Sequence, residues 1–212
     1  MAKNTIFSLI ITLFLAPSLG AHPVSFKGGY SFMAFHQADM TDWQLLYTFH
    51  PRSAIGVDYI KDSMEPESRY FLIPRLSWLV KRWNSLESQG NLYVYGGVGV
   101  ARQGALTQAA ALGAVEADYE TQEVYVSGKA TQLRAEHLNA LEIYQLRAGF
   151  APYVGESGDL HAWLIGQAQY LPNATMESLR VGPVLRLFHR NVLWELGLTT
   201  QGSWNFNFMV HW

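Results

Sequence analysis

The sequence predicts an all-β protein, a closed antiparallel transmembrane β-barrel of about 12 strands with short loops. Alternation of apolar and polar side chains recurs along nearly all of the chain after residue 21. Several alternating runs reach about nine residues or more, close to the length that a tilted strand needs to cross a bilayer. The apolar parity is continuous from run to run and the other parity carries charges, so the apolar side faces lipid rather than a soluble core.

Composition agrees with this prediction. The 212 residues include no cysteine, 15% charged and 14% aromatic residues, and carry a formal charge of −2. This balance argues against a nucleic-acid-binding protein and against a disordered tail. The sequence indicates no cofactor, and an exported soluble β-sandwich remains the alternative fold.

The first 21 residues have the organisation of a secretory signal peptide. Lys3 gives a positive start, Ile6 to Leu15 an apolar stretch, and Pro17 to Ala21 a small-residue end. Cleavage after Gly20 and cleavage after Ala21 are both compatible with this end. The mature chain, 22–212, is expected to be a single outer-membrane barrel domain.

Strands in the first half are defined by alternation between turn-forming stretches. The segment 71–81 is apolar on both parities, and the register is least certain in the first three runs. The predicted strands are Phe26–Phe32, Trp43–Phe49, Ile55–Tyr59, Phe71–Lys81, Leu92–Val100 and Val115–Tyr119.

The second half alternates more cleanly, and Arg, Glu and Gly gather on one parity. The predicted strands are Val124–Thr131, Tyr144–Phe150, His161–Tyr170, Leu179–Leu187, Trp194–Thr199 and Trp204–Trp212. Pro74, Pro152 and Pro183 lack the N–H that a ladder uses, so they predict bulges or strand ends. An even strand number puts both termini on the periplasmic side, with the turns at His50, Asn84, Glu120, Gly155 and His189.

The last strand has one strongly apolar face and ends on an aromatic residue. Its apolar parity consists of Trp204, Phe206, Phe208, Val210 and Trp212. This stretch resembles the C-terminal signal of Gram-negative outer-membrane β-barrel proteins, which include the porins, although their usual terminal residue is Phe. The resemblance implies an outer-membrane location among lipid and lipopolysaccharide, and recognition by the barrel-assembly machinery. We expect this strand to pair with the strand near Phe26–Phe32.

The inward parity predicts the residues that line the lumen. They are Lys27, Asp58, Arg75, Lys81, Glu116, Lys129, Arg147, His161, Arg180, Arg186 and Glu195. Either these charges pair and fill a narrow barrel, or they line a hydrated path whose excess of cations favours anionic solutes. The functional hypothesis is a narrow channel or solute-binding barrel for small polar or anionic solutes.

Two other classes of function, a lipid-modifying hydrolase and a metal-binding barrel, are alternatives to a channel. A lipid-modifying hydrolase needs a nucleophile, a base and an orienting group together, and the candidates His189 and Ser157 with His161 lie near predicted periplasmic turns. A metal-binding barrel has one weak candidate, His22, which becomes the first residue after cleavage at Ala21. No clustered histidine partner accompanies it in the sequence. A structural barrel without transport is the third alternative.

Overall fold

The computed structural model describes residues 22–65, 67–156, 158–174 and 178–212, so the predicted signal peptide lies outside the described residues. Twelve β-strands occupy the described part of the chain. Their bounds are β1 Tyr30–His36, β2 Met40–His50, β3 Ser53–Asp62, β4 Arg69–Asn84, β5 Ser88–Gln103, β6 Leu106–Thr121, β7 Val124–Ala135, β8 Leu141–Phe150, β9 Leu160–Tyr170, β10 Leu179–His189, β11 Val192–Leu198 and β12 Trp204–His211.

The strands form one closed antiparallel barrel in chain order, with β12 returning to β1. Ser31 lies opposite His211 and His36 opposite Phe206 in the closing pair. Trp212 extends this pair, since its backbone N–H and C=O exchange hydrogen bonds with Tyr30 at 3.0 and 2.7 Å. The predicted fold is confirmed, including the partner of the last strand.

The two ends of the barrel differ. We call one end the terminus end, because it holds the first described residues, from His22, and the last residue, Trp212. The turns 51–52, 85–87, 122–123, 151–159 and 190–191 lie at the same end. The other is the loop end, with connections 37–39, 63–68, 104–105, 136–140, 171–178 and 199–203. Most terminus-end turns are the shorter ones, as in known outer-membrane barrels, where short turns face the periplasm.

The outer face is apolar and carries aromatic residues towards both ends. Tyr30 packs against Tyr47 at 4.9 Å and stacks on Trp212 at 6.0 Å at the terminus end. Trp43 packs against Tyr59 at 5.8 Å nearer the loop end. Such rings suit the boundary between lipid and water. No helix in the described part of the chain is long and apolar enough to cross a bilayer.

The inner face alternates with the outer one along β4, where Phe71, Ile73, Arg75, Ser77 and Leu79 are all buried. A bulge between Leu79 and Lys81 then breaks the register with β5. Because one extra residue reverses the parity of everything beyond it, Lys81 turns outward and Arg82 turns inward.

The strands extend beyond several of the predicted runs, most of all in β6, which begins at Leu106 rather than near Val115. The three prolines disturb strand pairing less than the sequence predicts. Pro152 follows the end of β8, and Pro183 lies where pairing between β10 and β11 ends. Pro74 lies within β4, paired with Val57, and the register bulge of β4 is at residue 80 instead.

We predict that Phe208→Ser reduces assembly of the barrel. The Phe208 ring bridges the closing strands, at 6.4 Å from Phe32 and 6.3 Å from Trp194, so its loss removes apolar contact on both sides of β12. The fraction of heat-modifiable, protease-resistant protein in outer-membrane fractions measures assembly. Phe150→Ser, which changes an exposed ring on the outer face at the end of β8, is the control, and equal yields for the two variants would contradict a special role of the last strand.

Candidate functional site: a charge-filled lumen with a polar cavity

A hub of ion pairs around Glu195 links four strands inside the barrel. Arg186 Nε donates to Glu195 Oε1 at 2.6 Å, and Arg147 Nη2 donates to Oε2 at 2.8 Å. Asn207 Nδ2 also donates to Oε2, at 2.7 Å. All three charged side chains are buried, so their pairing with one another offsets the cost of removing them from water.

A second cluster occupies the opposite wall. Arg75 Nη1 donates to Asp58 Oδ2 at 2.8 Å, and its Nη2 donates to Gln44 Oε1 at 3.0 Å. The ring of Tyr95 lies between two cations, at 4.6 Å from the Arg75 guanidinium and 5.4 Å from Lys129 Nζ. Glu116 is directly opposite Lys129 in the β6–β7 ladder. Cation–π contact and ion pairing together hold these charges inside.

Two further ion pairs tie the loop end together. Arg180 pairs with Asp39, which joins the β1–β2 connection to β10. Arg69 pairs with Asp62 and donates to the backbone oxygen of Asn139 at 2.7 Å. Sequence reasoning missed Arg69 because it lies at the start of β4, outside the predicted run.

A cavity of about 100 Å³ lies in the lumen towards the loop end. This volume has room for several waters or one small solute. Side-chain amides dominate its polar lining, supplied by Gln37, Gln145, Gln167, Gln169, Asn205 and Asn207. Lys129 and Arg147 supply positive charge, and Asp42 supplies negative charge. The cavity therefore offers many neutral donors and acceptors, with cations in excess.

The terminus end of the lumen is filled by the segment before β1. Val24 is 2% exposed and belongs to an apolar cluster with Met33, Leu46, Leu193 and Met209. Those four residues come from β1, β2, β11 and β12, so Val24 lies inside the barrel and not on its rim. The segment before β1 therefore blocks the lumen at this end.

His22 lies beside this cluster among acidic groups. Its Nδ1 is 3.4 Å from Asp118 Oδ2 and its Nε2 is 3.9 Å from Glu120 Oε1. Burial alone lowers the pKa of His22, but the neighbouring Asp118 and Glu120 carboxylates outweigh it, so the pKa is raised above its usual value. The structure thus favours the imidazolium form.

The structure places most of the predicted lumen residues on the inner face. Asp58, Arg75, Glu116, Lys129, Arg147, Arg180, Arg186 and Glu195 take part in the clusters described above. His161 points the same way, with its ring 6.5 Å from Phe188.

Two of the predicted residues are elsewhere. Lys27 precedes β1 and is exposed, because the strand begins at Tyr30 rather than at Phe26. Lys81 faces outward beyond the bulge, where its Nζ lies 4.9 Å from the Trp83 ring. Arg82 takes the inward position and donates to Asn91 Oδ1 at 2.6 Å. A bulge at an apolar position leaves no mark in the sequence periodicity, so the sequence does not show that Arg82 rather than Lys81 faces the lumen.

A hydrolase gains little from the geometry. Ser31 Oγ lies 2.6 Å from His211 Nδ1, a pair that sequence reasoning missed, but both residues are buried beside the filled terminus end. Within the described part of the chain, His211 Nε2 has no hydrogen-bond partner, and no carboxylate there orients the ring as a general base. His189 ends β10 at the same end of the barrel, and Ser157 lies outside the described residues.

The described residues include no group of three histidine or acidic side chains that could hold a metal ion together. The two nitrogens of His22 face different carboxylates. That arrangement suits a charged ring between two acids and not an imidazole nitrogen that shares one ion with them.

The architecture of the barrel matches solved outer-membrane proteins. A KdgM porin in complex with disordered oligogalacturonate is 9% identical over 87% of this chain and 98% of that chain, with a TM-score of 0.50. The chain has a porin-like outer-membrane barrel fold.

Two further matches are more distant in shape. Another KdgM porin structure, again 9% identical over 87% of this chain and 98% of its own, has a TM-score of 0.48. The OmpT loop L8 deletion mutant of Vibrio cholerae is 11% identical over 89% and 98% of the chains, with a TM-score of 0.30. No protein-family model and no curated protein matches the sequence.

We predict that Glu195→Gln destabilises the barrel by about 3–5 kcal/mol, because it leaves Arg147 and Arg186 buried with uncompensated charge. Glu142→Gln is the control, since its partner Arg134 is 63% exposed, and it is expected to cost less than about 1 kcal/mol. Denaturant unfolding in detergent micelles or lipid vesicles measures both. Similar midpoints for the two variants would show that the Glu195 hub does not stabilise the fold.

Proposed function

We propose that this protein is an outer-membrane barrel that admits small polar or anionic solutes from the loop end, binds them in the lumen cavity and passes them along a narrow path. The observation that carries the proposal is the cavity lining, in which six amide side chains accompany Lys129, Arg147 and Asp42. The predicted signal peptide would direct the chain to the export pathway, and the loop end would then face the cell exterior.

The amide lining supports a neutral or hydroxylated solute. Glutamine and asparagine each offer two donors and one acceptor oxygen, so they exchange hydrogen bonds with water or with hydroxyl groups at little cost. A purely structural lumen would gain more from apolar packing, which Ile60, Leu112 and Leu133 provide on another part of the same cavity wall. The amides therefore mark the part of the cavity wall that is kept polar.

The charges lining the cavity support a preference for anions. Lys129 and Arg147 face it together with the single carboxylate Asp42, among the lining residues. Arg147 Nε is buried and has no hydrogen-bond partner among the described residues, so this guanidinium has a further donor beyond its bond to Glu195. Positive side chains in a confined, partly dry space attract anionic solutes, as charged rings do in pores.

The likeness to the KdgM porin supports transport in general terms. That protein is described in complex with oligogalacturonate, an acidic sugar chain. At 9% identity the likeness concerns the fold. The solute class proposed for this chain therefore rests on its own cavity, which is small enough to favour single small solutes over long chains.

We predict that the protein isolated from outer membranes has lost residues 1–21 or 1–20. His22 is buried inside the barrel, and an apolar stretch preceding it has no place in a lumen filled with charged and polar groups. Intact mass spectrometry of the purified protein gives the cleavage site directly. A full-length mass from properly assembled barrels would reject the signal peptide.

We predict that Arg147→Gln lowers the preference for anions over cations without preventing assembly, because Glu195 keeps Arg186 and Asn207 as partners. Reversal potentials under a salt gradient across planar bilayers measure the preference, and swelling of proteoliposomes measures uptake of neutral sugars. Arg134→Gln, at the exposed loop-end position, is the control.

Assembled wild-type barrels that neither conduct ions nor swell liposomes under any condition would overturn the proposed transport and favour a structural barrel. Conduction with unchanged ion preference in Arg147→Gln would instead overturn the role assigned to the cavity cations.

A further inference from the structure

We propose that the segment His22–Ser25 is a removable plug that closes the terminus end of the lumen and is released when His22 loses its proton. The docking of the plug can be tested by itself. Its consequence for solute passage rests on the proposed function.

Apolar packing places the plug inside the barrel. Val24 contacts a buried cluster to which β1, β2, β4, β5, β11 and β12 all contribute, through Met33, Leu46, Leu79, Tyr93, Leu193 and Met209. Burial of this single valine side chain favours the docked position. Because only one apolar side chain holds the segment, a change of one charge can shift the balance between the docked and the released form.

The backbone near the segment is arranged as a tether. Gly28 N donates to the Thr48 carbonyl at 2.7 Å, and Gly29 N donates to the Phe26 carbonyl at 3.0 Å, forming a turn between the plug and β1. Gly28 has a φ of 87°, a left-handed conformation that glycine adopts without strain. The turn sends the chain from the wall back into the lumen, so the plug can leave while β1 stays paired.

Polar contacts fix the plug at two points. Ser25 N donates to Thr48 Oγ1 at 3.1 Å, and the two hydroxyl oxygens also lie 3.1 Å apart. At the other end, the His22 ring lies 5.5 Å from the Tyr93 ring and between the Asp118 and Glu120 carboxylates. Of these two contacts, the one at His22 involves charged groups.

Charge rather than short hydrogen bonds attracts His22 to its partners. The contacts of 3.4 and 3.9 Å to Asp118 and Glu120 are ion-pair distances, and neither ring nitrogen makes a hydrogen bond of good geometry. Asn91 Nδ2 donates to the other oxygen of Asp118 at 2.7 Å, which orients that carboxylate towards the plug. The two carboxylates therefore lose a buried counter-charge when the imidazolium becomes neutral.

The remaining titratable groups around His22 come from three other strands. Arg82 of β4 opposes the positive ring, and His211 of β12 adds a smaller repulsion when both rings are charged. Tyr93 of β5 lies against the ring. Arg82 is held away from full pairing with the acids by its hydrogen bonds to Asn91 and to the Tyr93 hydroxyl, at 2.6 and 3.2 Å. Both acids of β6 lie within ion-pair distance of the His22 ring.

The direction of the pH response follows from linkage. Burial lowers the pKa of the docked His22, but Asp118 and Glu120 more than compensate, so the docked pKa lies above the undocked value. A group whose pKa rises on docking stabilises the docked form fully below its undocked pKa, near 6.5. That stabilisation is lost as the pH rises through the docked pKa, so the plug is held under acidic conditions and released under alkaline ones.

The absence of cysteine from the chain makes the plug easy to probe. Val24→Cys introduces one thiol of similar size at the buried position, and Ala38→Cys introduces one at an exposed loop-end position. The rate of reaction with a membrane-impermeant maleimide is measured on assembled barrels from pH 5.5 to 8.5. Dividing the first rate by the second removes the intrinsic effect of pH on thiol reactivity.

We expect this ratio to be low at pH 5.5 and to rise about tenfold for each unit by which docking raises the pKa of His22. His22→Gln in the Val24→Cys background should raise the ratio at pH 5.5 and remove the part of the pH response that belongs to the imidazole. The α-amino group left by cleavage of the signal peptide titrates at about pH 8 and is present in every variant, so a response that remains there is common to all of them. His50→Gln, at the exposed last residue of β2 and the same end of the barrel, should leave the pH response unchanged. Heat-modifiability of each variant verifies that it has assembled.

A ratio that stays low at every pH, or one that is already high at pH 5.5, would overturn the plug. The channel is judged separately, from conductance of a variant lacking residues 22–25. A pH-dependent ratio together with no conductance in either protein would retain the plug and overturn transport. Wild-type conductance that is the same at all pH values would retain transport and overturn the plug.

Discussion

Closure of the sheet between β1 and β12 is the constraint on which the rest of the structure depends. Lipid offers no hydrogen-bond partners, so an unpaired edge in a bilayer would leave a row of backbone groups unsatisfied. Six residue pairs from Ser31–His211 to His36–Phe206 remove that edge. Once the circle is closed, the lumen has a fixed width, and every inward side chain must find its partner within it.

The interior shows how charges are tolerated in so narrow a space. Glu195 accepts from Arg147, which is 48 residues away, as well as from its neighbour Arg186 across the ladder. Such pairs do not make a barrel more stable than well-packed apolar residues would. They do keep the wall polar, so that a cavity partly lined by amide groups can coexist with apolar clusters in one lumen.

Alternation in the sequence predicted which wall most side chains face, because in a closed sheet parity alone separates lipid from lumen. It placed Arg75, Arg147, Arg186 and Glu195 inside, where they are. It failed for Lys81, since a one-residue bulge reverses parity without changing composition. It also missed the contacts of His22 with Asp118 and Glu120, because a segment outside the ladder has no period, and its partners are defined only after the barrel has closed.

The lumen is filled both by side chains of the strands and by residues 22–25, and these two groups differ in how easily they can move to let a solute pass. Moving Arg75, Arg147 or Glu195 would break buried ion pairs that belong to the wall, and each such break costs several kcal/mol. Residues 22–25 lie in the same lumen but outside the ladder, held by one valine, one serine and one charged ring. Since no strand pairing is lost when they leave, releasing this segment costs less free energy than parting the strands of the sheet.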